Sequence, residues 1–187
     1  MSASRFRQPW VDHLFLPITA ALVLLADQIS KQIVVDNLQR YQEWAPIPAL
    51  QWLFAITYTT NTGAAFGLFP NGSVFFAVIA IGVALAILIY HRQLATRQWL
   101  LRLGLGLQLG GAVGNLFDRL TRGHVVDFIH FKFWPVFNVA DSCIFVGVAL
   151  MAYCLLREGK ENPGQPKVSA AEGHEQENSE QNLSATS

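Results

Sequence analysis

Four long apolar stretches restrict the folds that this chain can adopt. A bilayer core about 30 Å thick needs roughly 20 mostly apolar helical residues, because backbone groups must be satisfied within the helix where water is absent. The stretches run from about residue 14 to 35, 74 to 90, 99 to 117 and 138 to 156. Hydrophobic residues make up 52% of the chain and charged residues only 14%. We therefore predict an all-α membrane protein with four transmembrane helices.

Basic residues predict the direction of these helices. An even number of spans puts both termini on one side of the membrane, and the positive-inside rule makes that side cytoplasmic. Most basic residues precede the first stretch, lie in or near the loop after the second, or follow the fourth: Arg5, Arg7, Arg92, Arg97, Arg102, Arg157 and Lys160. Fewer lie in the opposite loops: Arg40, Arg119, Arg122 and Lys132. We expect both termini in the cytoplasm.

We predict that the first apolar stretch is a retained span and that the C-terminal segment is disordered. The first stretch follows two arginines as a secretory signal would, but it ends in LLADQ without an Ala-x-Ala cleavage site, so we expect it to be retained. After Arg157 the chain is rich in Glu, Gln, Asn, Ser, Gly and Pro, which bury too little apolar area to fold. We predict a membrane domain over residues 1–157 and a disordered cytoplasmic tail over residues 158–187.

The segment between the first two stretches is too long for a bare turn. From Leu50 to Thr60 it reads LQWLFAITYTT, which is rich in aromatic and β-branched residues, and Asn-Thr-Gly follows as a turn signal. We predict a small extracytoplasmic β-sheet between helices 1 and 2, at the level where aromatic side chains meet lipid headgroups. A simple interfacial loop is the alternative.

Polar side chains within or beside the apolar stretches gather at one end of the predicted bundle. Such groups are costly in a membrane, so they point to a function with a partner to be named. The groups are Asp27 and Lys31 in the first stretch, Asn115, Asp118 and Arg119 at the end of the third, Asp127 in the following loop, and Asn138 and Asp141 at the start of the fourth. All of them fall near the outer membrane interface.

Helical spacing indicates which of these groups support the structure. Asp27 and Lys31 are four residues apart with the acid first, the favourable order for a helical ion pair, so we expect a structural bridge. One face of the third helix carries Gly111, Asn115, Asp118 and Arg119. Gly106, Gly110 and Gly114 recur every fourth residue, a spacing that lets membrane helices approach closely. We expect this helix to support a neighbouring site.

Asp127 and Asp141 are the candidates for acid and base chemistry. Asp127 lies among β-branched and aromatic residues in VVDFIHF, and Asp141 follows Asn138 by three residues in FNVADS. An alternative role for Asp141 is to cap its helix. Two carboxyl groups about 3 Å apart share one proton, so one can activate water while the other protonates the leaving group. We expect Asp141, at a helix N-terminus, to start as the base and Asp127 to carry the proton.

Other chemistries fit the sequence less well. His124, Asp127 and His130 are possible zinc ligands, but no His-Glu-x-x-His is present, and we expect neither a metal nor another cofactor. No serine elbow is present, and Cys143 would face away from Asp141 on a helix. The net charge of zero argues against a nucleic-acid partner. A small proton- or ion-coupled transporter remains the alternative, because it also places acids within spans.

Five blocks of this sequence resemble lipoprotein signal peptidases (signal peptidase II) in order and spacing. They are DQISK at 27–31, TTNTGAAFG at 59–67, GGAVGNLFDR at 110–119, VVDFIHF at 125–131 and FNVADS at 137–142. The resemblance covers about residues 10–157. It implies a bacterial cytoplasmic-membrane aspartyl protease with four helices and an outer β-cradle. Such an enzyme removes signal peptides from prolipoproteins by cleaving before the diacylglyceryl cysteine.

The same resemblance implies roles for individual residues. Asp127 and Asp141 match the catalytic pair of the family. The residues that would line or support the site are Asp27, Lys31, Asn61, Gly111, Asn115, Asp118, Arg119, Asn138 and Ala140. The implied partners are lipid-modified prolipoproteins and membrane lipids, and we expect a monomer.

Overall fold

Four long helices and a small sheet form the described part of the protein, which in the computed structural model comprises residues 9–63, 72–91 and 98–161. The helices are α1 (Pro9–Asn37), α2 (Ser73–Tyr90), α3 (Trp99–Arg122) and α4 (Val139–Glu161). The strands are β1 (Glu43–Trp44), β2 (Phe54–Asn61) and β3 (Val125–Phe131), with a short 3-10 helix at Pro48–Leu50. The predicted mostly helical fold with a small sheet is confirmed.

Two sequence predictions fall mainly outside these ranges. Residues 158–161 of the predicted tail continue α4, and residues 162–187 lie outside the described residues. The basic residues used to orient the helices are partly outside them as well, namely Arg5, Arg7, Arg92 and Arg97. The main compact unit ends at Cys154, and a second unit starts at Leu155 with the last turns of α4.

Each helix contains a segment long and apolar enough to cross a membrane: Leu14–Asn37, Ser73–Tyr90, Trp99–Arg122 and Val139–Arg157. The 18 residues of α2 alone extend about 27 Å. On α1, an outward stripe of large apolar side chains recurs every three or four residues: Ile18, Leu22, Leu25, Ile29 and Ile33. A stripe of this kind suits contact with lipid tails, which are as apolar as leucine.

Helix α3 is the centre of the bundle. It packs against both α1 and α2, and 61% of its spanning segment is buried, compared with 11% for α2 and for α4. The apolar core combines residues of three helices: Leu16, Ala20, Ile87, Leu101, Leu105 and Leu109. Because the central helix is covered on several sides, it can carry polar groups away from lipid.

Glycines bring the backbone of α3 close to α1. Gly106, Gly110 and Gly114 all face α1, as their spacing predicts. A Cβ atom at Gly110 would lie 2.6 Å from the carbonyl oxygen of Ala20, and one at Gly114 would lie 2.6 Å from Oδ2 of Asp27. Hydrogen at these positions therefore allows an approach that a side chain would prevent.

The sheet is antiparallel, with the strand order β1-β2-β3. Strand β2 forms within the segment between α1 and α2, where the sequence indicated a strand. Strand β3 comes from the segment between α3 and α4, so the sheet joins two loops that are far apart in the sequence. Residues 125–128 of β3 are buried, because the β-branched and aromatic side chains of this strand have cover on both faces.

We expect Gly110→Ala to lower the melting temperature of the protein in detergent, because an added methyl group would press on Ala20 and Val23. Overpacking of this kind costs about 1–3 kcal/mol. Gly82→Ala on α2 is the matched control, since no atom lies within 4 Å of its added Cβ. That variant should melt at the wild-type temperature or slightly higher, because alanine loses less backbone entropy than glycine. Equal melting temperatures for the two variants would contradict the role assigned to Gly110.

Candidate active site

After β3 the chain turns back and runs beside this strand, which brings the start of α4 to the sheet. After Phe131 the chain turns, and Phe137 then exchanges backbone hydrogen bonds with Ile129, with N···O distances of 2.7 and 3.1 Å. Helix α4 begins two residues later, at Val139. The antiparallel return therefore places the first turn of α4 beside Asp127, although the two carboxylates of interest are well separated in the sequence.

A β-bulge lies directly beside Asp127. Ile56 pairs with Ile129 and Thr59 pairs with Asp127, so β2 contains one more residue than β3 between these pairs. The hydroxyl of Thr59 donates to the backbone carbonyl of Asp127 at 3.2 Å. Bulges increase the local twist and redirect side chains, and they are common beside active sites. Here the irregularity adjoins a carboxylate whose residue is only 3% exposed.

The residues considered as a zinc set do not converge. Residues three positions apart in a strand point to opposite faces, so His130 faces away from Asp127. Nδ1 of His130 lies 3.1 Å from Oε1 of Glu43, whose carboxylate is also bound by Lys132. Within the described ranges, no three His, Cys, Asp or Glu residues are grouped to hold a metal ion.

Asn138 connects the two candidate aspartates. Its Nδ2 donates to Oδ1 of Asp127 at 2.6 Å, and its backbone N–H donates to Oδ2 of Asp141 at 3.3 Å. In return, the backbone N–H of Asp141 donates to Oδ1 of Asn138 at 2.9 Å. The last two bonds are those of a capping box. Asp141 therefore caps its helix, as the alternative role predicted, and its side chain also lines a cavity.

Both carboxylates line a cavity of about 390 Å³, within the usual range for ligand sites. Nδ2 of Asn61 donates to Oδ2 of Asp127 at 3.1 Å. The guanidinium of Arg119 lies over the ring of Phe76, 5.6 Å from its centroid. The remaining residues of the lining are Gly63, Asn115, Val125, Trp134, Pro135, Val136 and Phe137. The cavity thus combines two carboxylates, two amides and a guanidinium with a larger area of apolar side chains.

The environment of Asp127 favours its protonated form. Burial raises the pKa of the Asp127 carboxyl to about 7, and the neighbouring charge of Asp141 acts in the same direction. Hydrogen bonds from Asn61 and Asn138, and the positive charge of Lys31, act against this rise. Asp127 can therefore hold a proton near neutral pH, as required of the acid in a carboxylate pair.

A buried ion cluster lies behind the cavity. Nζ of Lys31 is 2.8 Å from Oδ2 of Asp27, 2.9 Å from Oδ2 of Asp118 and 3.0 Å from Oδ1 of Asn115. The side chains of Lys31, Asp27 and Asp118 are fully buried. The ion pair expected between Asp27 and Lys31 is therefore present, and it extends to α3.

Several partners of this cluster were not predicted. Nε2 of Gln28 lies within 3.2 Å of both Asp27 and Asp118. The guanidinium of Arg122 is 2.5 Å from Oδ1 of Asp118, and the backbone N–H of Val126 donates to Oδ2 of Asp118 at 3.2 Å. Two signals were available: Gln28 is adjacent to Asp27, and Arg122 follows Asp118 by four residues. Nothing in the sequence indicated the hydrogen bond from Val126 of β3 to Asp118.

The last two predicted site residues hold α4 against the cluster. The backbone N–H of Ala140 donates to Oδ1 of Asp27 at 3.0 Å. Gly111 packs against the carbonyl group of Ala140, where a Cβ atom would collide. All the residues named by the sequence as a site therefore lie in one region, formed by α1, α3, α4 and the sheet.

Residues 19–157 match a protein family described as signal peptidase (SPase) II. The chain belongs to this family. Similar relatives include the lipoprotein signal peptidase of Moorella thermoacetica, which is 43% identical over 149 residues, covering 80% of this chain and 97% of the relative. The lipoprotein signal peptidase of Alteromonas mediterranea is 36% identical over 182 residues, covering 91% of this chain and 96% of the relative.

A solved structure supports the same assignment. A bacterial membrane enzyme determined by the in meso method at 2.3 Å resolution superposes with a TM-score of 0.72 and 30% identity, covering 82% of this chain and 94% of the other. As a member of the signal peptidase II family with four membrane-spanning helices, this chain is a multi-pass bacterial membrane protease that acts in lipoprotein processing. The transporter alternative receives no support from these relatives.

We expect Asp118→Ala to destabilise the protein strongly, because it leaves the ammonium of Lys31 and the guanidinium of Arg122 without a carboxylate partner on α3. Breaking a buried ion pair from one side costs about 3–5 kcal/mol. Asp36→Ala is the control, since Asp36 is exposed and bonds Gln32 on its own helix. Thermal unfolding in detergent, followed by tryptophan fluorescence, measures both variants. Similar melting temperatures would show that the cluster contributes little to stability.

Proposed function

We propose that this chain removes signal peptides from diacylglyceryl-modified prolipoproteins by cleaving just before the lipidated cysteine, with Asp127 and Asp141 as the catalytic pair. The observation that carries the proposal is the placement of two carboxylates, buried Asp127 and partly buried Asp141, on one cavity, with Asn138 hydrogen-bonded to both. Membership of the signal peptidase II family supplies the class of reaction. The matches to VVDFIHF and FNVADS support the choice of these two aspartates.

The two carboxylates divide the chemistry between them. Asp141 starts as the anion, with one oxygen accepting from Nδ2 of Asn115 at 2.7 Å and the other from the backbone N–H of Asn138. Asp141 takes a proton from water while the water oxygen bonds to the scissile carbonyl carbon. Asp127 then gives its proton to the departing nitrogen as the C–N bond breaks. The proton gained by Asp141 restores Asp127 for the next turnover.

We also propose a wider arrangement, which the distribution of basic residues along the sequence supports. The site lies near the outer leaflet, both termini lie in the cytoplasm, and residues 1–157 form the membrane peptidase domain of a monomer. Membrane lipids surround this domain, and residues 158–187 form a cytoplasmic tail. The acyl chains of the substrate anchor it in the bilayer, so its scissile bond reaches the cavity at a high effective concentration.

We expect Asp127→Asn and Asp141→Asn each to reduce processing of a lipid-modified precursor by at least roughly 10²-fold, because each removes one proton-transfer group. The assay follows the gel mobility of purified precursor in detergent. Asp36→Asn is the control, since its carboxylate is exposed on α1 and is not among the residues that line the cavity. Circular dichroism and melting temperature establish that the variants fold. Near-normal processing by both Asp127→Asn and Asp141→Asn would refute the proposal.

We expect kcat/KM to fall as the pH rises through about 7, because the raised pKa keeps Asp127 protonated below this value and ionised above it. Asn61→Ala removes a hydrogen bond that favours the ionised form of Asp127. This variant should therefore shift the alkaline limb of the pH profile upward. The measurement is kcat/KM between about pH 5 and about pH 9. A rate that rises steadily through neutral pH would contradict the role of Asp127 as the acid.

A further inference from the structure

We propose that Lys31 keeps Asp141 ionised by acting through the side-chain amide of Asn115, and so determines which aspartate starts as the base. This inference rests on the proposed function of the aspartate pair. It makes Lys31 and Asn115 positioning residues for the reaction, in addition to their part in the buried cluster.

The geometry around Lys31 fits a charged ammonium. Its three N–H groups meet three acceptors, the carboxylates of Asp27 and Asp118 and Oδ1 of Asn115, at 2.8 to 3.0 Å. A neutral amine would have two N–H groups for the same three acceptors. The side chain is fully buried, so solvent does not screen its charge.

Asn115 joins this cation to Asp141. Oδ1 of Asn115 accepts from Lys31 at 3.0 Å and from Nδ2 of Asn138 at 3.2 Å, while its Nδ2 donates to Oδ1 of Asp141 at 2.7 Å. A cation on the amide oxygen withdraws electron density from the amide nitrogen, so its N–H becomes a stronger donor. The bond to Asp141 is therefore strongest when Asp141 is an anion.

The amides bound to Asp127 have no such connection. Its donors are Nδ2 of Asn61 and Nδ2 of Asn138. Oδ1 of Asn61 accepts from the backbone N–H of Gly63, and Oδ1 of Asn138 accepts from the backbone N–H of Asp141, both at 2.9 Å. These are neutral donors. Among the side-chain amides described around the pair, the one whose oxygen binds a cation is that of Asn115, and it donates to Asp141.

The other nearby charges do not act through the side-chain amide of Asn115. The charged groups around Asp141 and its link are Asp27 and Lys31 of α1, Asp118, Arg119 and Arg122 of α3, and Asp127 of β3. Arg119 interacts with both carboxylates of the pair, more strongly with Asp141 than with Asp127, and its bond to Asn115 goes to the backbone carbonyl, so substitutions at Lys31 and at the Asn115 side chain leave its charge in place. Asp27 and Asp118 are bound by Lys31 itself. Arg122 binds Asp118 and makes no described bond to Asn115.

The test compares pH profiles of kcat/KM for a charge-matched double variant. Lys31→Gln with Asp27→Asn removes one positive and one negative charge, and the amide introduced by Asp27→Asn still offers an oxygen to the backbone N–H of Ala140. In the bell-shaped profile of a carboxylate pair, the acid limb reports protonation of the base. We expect this limb to move upward by about one pH unit, and the alkaline limb to move less.

A control variant and a thermodynamic cycle separate the link through Asn115 from other effects. Arg122→Gln also removes a positive charge from the buried cluster, but this charge binds Asp118 and makes no described bond to Asn115. The variant should therefore leave the acid limb in place. Asn115→Leu removes the amide that joins Lys31 to Asp141. This substitution alone should move the acid limb to higher pH. Adding Lys31→Gln with Asp27→Asn to Asn115→Leu should then produce no further shift, because coupled residues are not additive.

Each outcome supports or overturns the inference. An unchanged acid limb in the double variant overturns it. An equal shift of the acid limb in Arg122→Gln also overturns it. So does a shift in the combined variant that equals the sum of the shifts in Asn115→Leu and in the double variant. If the double variant does not fold, Asn115→Leu decides alone, and an unshifted acid limb in that variant overturns the inference. These failures differ from failure of the proposed function, which would appear as processing by both Asp127→Asn and Asp141→Asn.

Discussion

The ammonium of Lys31 is buried where α1 meets α3, and the arrangement of the site depends on how its charge is balanced. An isolated charge in this position would be very costly, so two carboxylates must meet it. Those carboxylates also bind the backbone of β3 at Val126 and of α4 at Ala140. The need to neutralise one lysine therefore fixes the relative positions of α1, α3, β3 and α4, and the last three of these contribute residues to the cavity lining.

The glycines of α3 make this balance possible. The Asp27 carboxylate lies so close to Gly114 that any side chain there would displace it. Gly111, on another side of the helix, admits the first turn of α4 in the same way. Small residues thus serve two purposes in this bundle: they allow the backbones to pack, and they leave room for polar groups to meet away from lipid.

The sequence predicted the four spans well, because length and apolar composition alone determine whether a helix can cross a membrane. It also predicted that the polar residues would gather, since each is too costly to face lipid. Strand β3 was missed as a strand, because it contains an aspartate and pairs with a segment far away in the chain. The bulge at Thr59 and the bond from Asn138 to Asp127 depend on that pairing. They could not be deduced from spacing along the chain.

The pairing of β2 with β3 has a consequence for how the protein matures. The two strands lie in different interhelical segments, with α2 and α3 between them. Strand β3 can join the sheet once synthesis has passed α3, and Asp141 follows with the next helix. A partly synthesised chain therefore lacks both carboxylates in their final positions. The cavity that Asp127 and Asp141 line is therefore completed only after α3, β3 and the first turn of α4 have all been synthesised.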